Sequence, residues 1–245
     1  MPTFTNQTAL ITGGGTGIGR GIALALGAEG ASVAVCGRTR EPLEESADLI
    51  RTHGVEAAAI QADITQEEEV AKLIREIESE LGPISILVNN AGVARFASVW
   101  ELTPEEFDEM VAVNLRGTFL CSRAVIPGMI ERGQGRILNI ASVAGLKPYP
   151  TQGGYCASKH AQIGLAKVMG IELQEHGIVV QTISPGGVDT PLARGIRDDV
   201  DFNDWMTVEE VAEAAMFMLS QQGRATTDHL ILRRGKATAW SNASA

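Results

Sequence analysis

The chain is short of cysteine, of basic charge and of long apolar runs. Its three cysteines, Cys36, Cys121 and Cys156, are odd in number and widely separated, which fits reduced thiols and not a disulfide framework. No CxxC and no His-x-x-x-His occurs, and His53, His160, His176 and His229 are scattered, so no metal site is expected. Lys and Arg number 20 against 30 Asp and Glu, a formal charge of −10. A nucleic-acid surface needs clustered cations to displace counterions, so none is expected here. The longest apolar runs fall far below the roughly 20 residues of a membrane-spanning helix. Met1-Pro2-Thr3-Phe4-Thr5-Asn6-Gln7 has neither a basic n-region nor an apolar h-region. These absences lead to the expectation of a cytoplasmic protein with no membrane partner. Repeats, low-complexity stretches and linkers are missing too, so the 245 residues read as one domain, 1–245.

What is present is an apolar share of 44%, enough for a sizeable core, and 27 glycines. Short β-branched runs alternate with helical patterns. Strands are expected at 9–12, 32–36, 57–61, 84–88, 136–140, 178–183 and 229–232. Helices are expected at 18–29, 42–53, 65–81, 104–131 (bent midway), 153–176 and from Thr207 onward. Thr65 with Glu68, and Thr103 with Glu106, have capping-box spacing, and Gly82-Pro83 ends the helix that Thr65 opens. Strand and helix alternating at this spacing predict βαβ units: an α/β fold with a doubly wound parallel (Rossmann) sheet of about seven strands, helices on both faces.

The turn after the first strand reads Thr12-Gly13-Gly14-Gly15-Thr16-Gly17-Ile18-Gly19. In such a sheet a dinucleotide pyrophosphate meets a helix N-terminus at this place, and glycines let backbone N–H groups approach the phosphates. The spacing is G-x-x-x-G-x-G, through Gly13, Gly17 and Gly19; the alternative is a purely structural turn. The second strand ends in Cys36-Gly37-Arg38-Thr39-Arg40, with no carboxylate for a ribose 2′-OH and two arginines able to grip a 2′-phosphate. NADP(H) is therefore preferred over NAD(H); the alternative is that the arginines only solvate the turn.

Tyr155 and Lys159 stand at i and i+4 near the start of a helix, on one face. A phenol near pKa 10 is a poor acid–base catalyst at neutral pH, and an adjacent ammonium lowers that value. Ser142 follows the fifth strand, where ligands bind outside strand carboxyl ends, and can hydrogen-bond a substrate oxygen. Alone, a Tyr/Lys pair at this spacing reads as ordinary helix surface.

Together these residues resemble the short-chain dehydrogenase/reductase family, and most nearly its 3-oxoacyl-acyl-carrier-protein reductases. The match runs through Thr12-Gly13-x-x-x-Gly17-Ile18-Gly19, Asn89-Asn90-Ala91-Gly92, Asn114, Ser142, Tyr155-x-x-x-Lys159 and Pro185-Gly186. The resemblance implies that Tyr155 is the general acid or base, that Ser142 polarises the reacting oxygen, and that Lys159 binds the nicotinamide ribose and depresses the Tyr155 pKa. It further implies that Asn114 supports a water-linked proton relay from a distorted helix. Asp63 would meet the adenine edge, with the Ile64 backbone nearby. Gly13, Thr16, Gly17, Ile18, Gly19, Arg38, Asn90, Ala91, Gly92, Pro185, Gly186, Val188 and Thr190 would line the cofactor, Thr190 reaching the carboxamide. Asp63 reads equally as a turn former, and Asn114 as a residue satisfying backbone groups at a helix bend.

Hydride transfer between nicotinamide C4 and a carbonyl or secondary alcohol is the implied reaction on a small-molecule substrate. A 3-oxoacyl-acyl-carrier-protein reductase and a sugar or polyol dehydrogenase are the narrower alternatives, and a non-catalytic NADP-binding regulator is the alternative of another class. A homodimer or homotetramer is expected by resemblance. Segment 191–206, with Asp198, Asp199, Asp201, Asp204 and Trp205, reads as a short acidic lid that covers substrate poorly and disfavours an anionic one. The alternative is a solvated loop that touches nothing. Segment 233–245 reads as a frayed tail.

Overall fold

The alternating strand and helix patterns resolve into fifteen elements in the computed structural model, which describes residues 3–197 and 200–237. In chain order these are β1 (Thr8–Thr12), α1 (Gly17–Ala28), β2 (Ser32–Gly37), α2 (Arg40–Arg51), β3 (Ala57–Gln61), α3 (Glu67–Leu81), β4 (Ile84–Asn89) and α4 (Pro104–Val111). They continue with α5 (Thr118–Arg132), β5 (Gly135–Ile140), α6 (Gly153–Leu173), β6 (Ile178–Pro185), α7 (Pro191–Ile196), α8 (Val208–Leu219) and β7 (His229–Leu232). The strands form one sheet in the order β3-β2-β1-β4-β5-β6-β7, and every pair is parallel. The chain winds outward from β1 to β3, then crosses back to β4. The order thus reverses beside β1, and the crevice for ligands opens there, at the strand carboxyl ends.

Strand alternation feeds two cores. Leu10 packs on one side of the sheet with Leu73 and Ile77 of α3, Val125 of α5 and Leu173 of α6. Its neighbours Ala9 and Ile11 pack on the other side with Ile22 and Leu26 of α1, Ile50 of α2 and Met218 of α8. Because both faces are covered, β1 is buried at every position. Truncating Leu10 or Ile11 to alanine would cost about 2–5 kcal/mol at such sites.

Three local features bear on the sequence-based expectation. The bend expected midway in the helix over 104–131 is a π-helical stretch, Ala112–Gly117, between α4 and α5. A π turn fits an extra residue into the helix, and here it turns Asn114 fully inward. Thr65 does not cap α3: its N–H and hydroxyl both donate to Asp63 Oδ1, at 2.9 and 2.8 Å, and the helix starts later, at Glu67. The Asp63 turn thus outcompetes the capping box, whereas Thr103–Glu106 and Thr207–Glu210 form theirs. Finally, at the start of the expected tail Arg233 Nη1 donates to the Arg234 and Gly235 carbonyls at 3.0 and 3.1 Å, and Lys236 pairs with Asp204 at 2.5 Å. The rest of the expected tail, 238–245, lies outside the described residues, as do Asp198 and Asp199.

Candidate active site

The glycine turn is held from both sides. The Gly13 N–H donates to the Cys36 carbonyl at 2.8 Å, and Asn90 Nδ2 donates to the Thr12 and Gly13 carbonyls at 3.0 and 3.2 Å. Thr12 Oγ1 accepts from the Asn90 and Ala91 N–H groups, both at 3.0 Å. Gly13 has φ +64°, and a Cβ there would lie 2.9 Å from Ala91 Cα. A Cβ on Gly19 would lie 2.3 Å from the Gly13 oxygen, so α1 can sit this close to the turn only with glycine there. Thr16 is the N-cap residue of α1, yet its side chain makes no cap hydrogen bond, and no acidic residue stands in the first turn. The N–H groups that open α1 are therefore left for an anion, which fits a cofactor pyrophosphate.

At the end of β2, Arg40 is paired with Glu44 at 3.1 Å, while Arg38 is largely exposed and only reaches Glu109 at 3.9 Å. Asp63 Oδ1 is occupied by Thr65, and the Asp63 N–H donates to Glu69 Oε2 at 2.7 Å. Ile64 is buried against the Gly117 backbone of the π stretch. Arg38, Asp63 and Ile64 follow β2 and β3 and do not line the groove walls formed by the other expected residues.

On the far side of the crevice, Ser142 follows β5 in an extended conformation, with Oγ accepting from the Ala144 N–H at 3.1 Å. Tyr155 lies in the first turn of α6, edge-on to Phe96 with ring centroids 6.2 Å apart. Lys159, one turn on, is buried; its Nζ donates to the Ile140 carbonyl and to Gln162 Oε1, both at 2.9 Å. Burial pulls the Lys159 ammonium down to about 7. Burial also pushes the Tyr155 phenol above its ordinary value, with the Ser142 hydroxyl pulling the other way. Both shifts have desolvation as their largest cause; Nζ stands 5.9 Å from the Tyr155 ring centroid and donates to Ile140 and Gln162.

Asn114 saturates the Val93 backbone, accepting from its N–H at 2.8 Å and donating to its carbonyl at 2.9 Å, and also donates to Ser158 Oγ at 3.0 Å. Its own carbonyl accepts from Thr118 Oγ1 at 3.0 Å, and Thr118 Oγ1 in turn accepts from Gln162 Nε2 at 3.0 Å. A continuous buried chain, Asn114–Thr118–Gln162–Lys159, thus links two expected residues through two that the sequence reading passed over. The available signal was helical spacing: Gln162 lies i+3 from Lys159 and i+7 from Tyr155, on the face that carries both.

Ser142, Tyr155, Pro185, Gly186, Val188 and Thr190 line a cleft of about 850 Å³. A smaller groove of about 210 Å³, with Gly13, Thr16, Gly17, Ile18, Asn90, Ala91, Gly92 and Lys159 in its walls, shares Tyr155, Ile18 and Thr190 with that cleft. Gly19 supports the turn from behind. Thr190 caps α7, Oγ1 accepting from the Ala193 N–H at 3.1 Å, so its hydroxyl proton stays available to a ligand.

Described residues of segment 191–206 reach the cleft. Leu192, Ala193, Ile196 and Trp205 line the cleft, and Met206 bridges to Val188. Lys147, Arg197, Arg233 and Arg234 line the cleft, and no carboxylate does so among the described residues. Asp201 and Asp204 are turned to other work: Asp201 accepts from Asn203 at 2.9 Å, and Asp204 pairs with Lys236. The four cations come from three stretches far apart in sequence, and nothing in their local patterns announces a common cleft.

A family description for short chain dehydrogenase matches residues 7–201. Among individual proteins, 2-(S)-hydroxypropyl-CoM dehydrogenase 3 of Xanthobacter autotrophicus is 36% identical over 248 residues, covering 96% of this chain and 97% of that protein. A 3-oxoacyl-acyl-carrier-protein reductase (FabG) of Staphylococcus epidermidis is 37% identical over 196 residues, 80% of each chain. A metagenomic short-chain oxidoreductase, solved in complex with NADP, superposes with a TM-score of 0.83 at 29% identity, covering 95% of this chain and 98% of that one.

Proposed function

The chain belongs to the short-chain dehydrogenase family, and on that premise we propose that it is an NADP(H)-dependent oxidoreductase interconverting a ketone or aldehyde with its alcohol. The observation that carries this reading is the convergence of Ser142, Tyr155 and Lys159 on a groove continuous with the glycine turn. The relatives named above act on different substrates, so the shared chemistry is the level at which they support it.

When bound, the cofactor supplies or accepts a hydride. Gly13, Thr16, Gly17, Ile18 and Gly19 would cradle its pyrophosphate, and Arg38 would grip the 2′-phosphate by charge-assisted hydrogen bonds. Two features favour NADP(H): the missing carboxylate after β2, and a solved relative in complex with NADP. Asp63 and the Ile64 backbone border the adenine. Asn90, Ala91, Gly92, Pro185, Gly186, Val188 and Thr190 line the rest of the path, with Lys159 on the ribose hydroxyls.

In reduction, Tyr155 donates its phenolic proton to the carbonyl oxygen while Ser142 donates a hydrogen bond to the same oxygen. The carbonyl thus gains one hydride and one proton and becomes an alcohol. Burial of Tyr155 keeps it protonated, and so ready as an acid, at neutral pH. The phenolate left behind is stabilised by the Lys159 ammonium. In oxidation the same raised pKa makes Tyr155 a scarce base, so that rate climbs with pH. Asn114 holds the Val93 segment and Ser158 in place beneath these groups.

Replacing Tyr155 by Phe tests this directly. The variant should lose about a thousandfold in kcat/KM across a carbonyl and alcohol panel read by NADPH absorbance. NADPH binding, followed by fluorescence, should persist. Unchanged turnover would remove Tyr155 from the chemistry, and a wild-type protein that binds NADPH but turns over nothing would point to the regulator instead.

A further inference from the structure

The cationic cleft is unexplained by the cofactor. Lys147, Arg233 and Arg234 stand at the carboxyl ends of β5 and β7, whereas Arg38 and the adenine end of the groove lie beyond β2, with β1, β4, β5 and β6 between it and β7. A single 2′-phosphate cannot use both, and the pyrophosphate belongs to the glycine turn.

These cations are also set apart from their neighbours by what they touch. Just outside the cleft, Arg194 pairs with Asp189 at 2.6 Å and Lys236 with Asp204 at 2.5 Å. Lys147, Arg233 and Arg234 have no carboxylate partner among the described residues. Lys147 lies over the Tyr149 ring at 5.3 Å, and Arg234 over the Trp205 ring at 5.4 Å. Arg233 turns one nitrogen onto carbonyls of its own segment. Ring faces and carbonyls orient a cation without cancelling its charge. In a chain of net charge −10, three cations without a described carboxylate partner in one cleft wall are a selective feature.

Resting on the reading given under Proposed function, we propose that the substrate is an anionic carbonyl compound or alcohol, with an oxyanion head held by Lys147, Arg233 and Arg234 while Ser142 and Tyr155 take its reacting oxygen. Phe96, Leu192, Ile196 and Trp205, also in the wall, fit an apolar spacer between head and carbonyl. Guanidinium groups favour planar, bidentate heads, and carboxylate and phosphate-type oxyanions share that recognition.

The test uses matched methyl ketones, from 4-oxopentanoate to 7-oxooctanoate, each beside its carboxamide, with phosphonates of equal length as a separate arm. At one or more lengths the acid should exceed its amide by at least about tenfold in kcat/KM, and added salt should narrow the gap. Lys147→Gln, Arg233→Gln and Arg234→Gln should each lower the acid-to-amide ratio, while Arg234→Lys keeps most of it. Carboxylates ahead of phosphonates would mark a carboxylic acid as the natural head, and the reverse order a phosphate ester. Calorimetry on the full NADPH-loaded chain, with the corresponding hydroxy acids and hydroxy amides, decides the matter without turnover. Acids that bind while amides do not would uphold the anionic site even if the proposed chemistry failed. Amides binding and reacting as well as acids, acids that fail to bind, or ratios indifferent to all three Gln substitutions would overturn it.

Discussion

The two ends of the groove are built from different materials. The nucleotide end is main chain: one contiguous stretch, 12–19, braced by Asn90 and presenting N–H groups at the start of α1. The substrate end is side chains: Ser142, Lys147, Tyr155, Trp205, Arg233 and Arg234 arrive from four separate segments. In the proposed reading the first recognises its ligand by close backbone approach, which tolerates almost no added atoms. The second would work by charge and apolar contact, which tolerate rearrangement. Specificity can therefore change at one end while the other stays fixed, as expected where substrates vary and the cofactor does not.

The sharpest way to break this contrast is Gly19→Ala. Its Cβ would sit 2.3 Å from the Gly13 oxygen and 2.4 Å from Asn90 Nδ2, both tied into the hydrogen bonds that shape the turn. The turn and α1 must separate, so NADPH affinity should fall about a hundredfold or more, measured by fluorescence titration on protein whose circular dichroism shows the fold intact. Near-normal affinity would mean that the backbone cradle is not what holds the cofactor.

The same contrast explains what could be read from the sequence. The glycine turn, the Tyr155/Lys159 spacing and every strand were legible because each lies within a dozen residues and obeys a local period. The doubly wound sheet followed from strand–helix alternation alone. Missed features were those in which distant groups compete. Thr65 and Glu68 have capping-box spacing, but Asp63 takes the Thr65 hydroxyl first. Four aspartates in 191–206 suggest an acidic lid; of the described ones Asp204 pairs with Lys236, while Arg233 and Arg234 enter the cleft wall from beyond β7. Burial, a three-dimensional quantity, raises the Tyr155 phenol, and no local spacing shows it.

Arg38→Ala sharpens the comparison at the nucleotide end, where one side chain is asked to do what the backbone cannot: tell NADPH from NADH. The ratio of kcat/KM values for the two cofactors should fall by about ten- to a hundredfold, mostly through KM for NADPH, the effect of losing charge-assisted hydrogen bonds to a phosphate. A ratio that does not move would assign the exposed Arg38 to solvent and place cofactor choice elsewhere.

Gln162 joins the two ends, and its effect should be the smallest. It accepts from the Lys159 ammonium at 2.9 Å and anchors to Thr118 at 3.0 Å, so it favours the charged form of a lysine that burial has already pulled down to about 7. If the charged form is the working one, reduction weakens as pH rises through that value. Gln162→Leu removes an acceptor, lowers the Lys159 pKa further and should move the half-point of kcat/KM down by about one pH unit. Gln162→Glu puts a carboxylate in the same place and should move it up. A purely structural role for Gln162 would lower thermal stability in both variants yet leave the two half-points together, so opposite shifts in the pH profile are the result that makes it a positioning residue for Lys159.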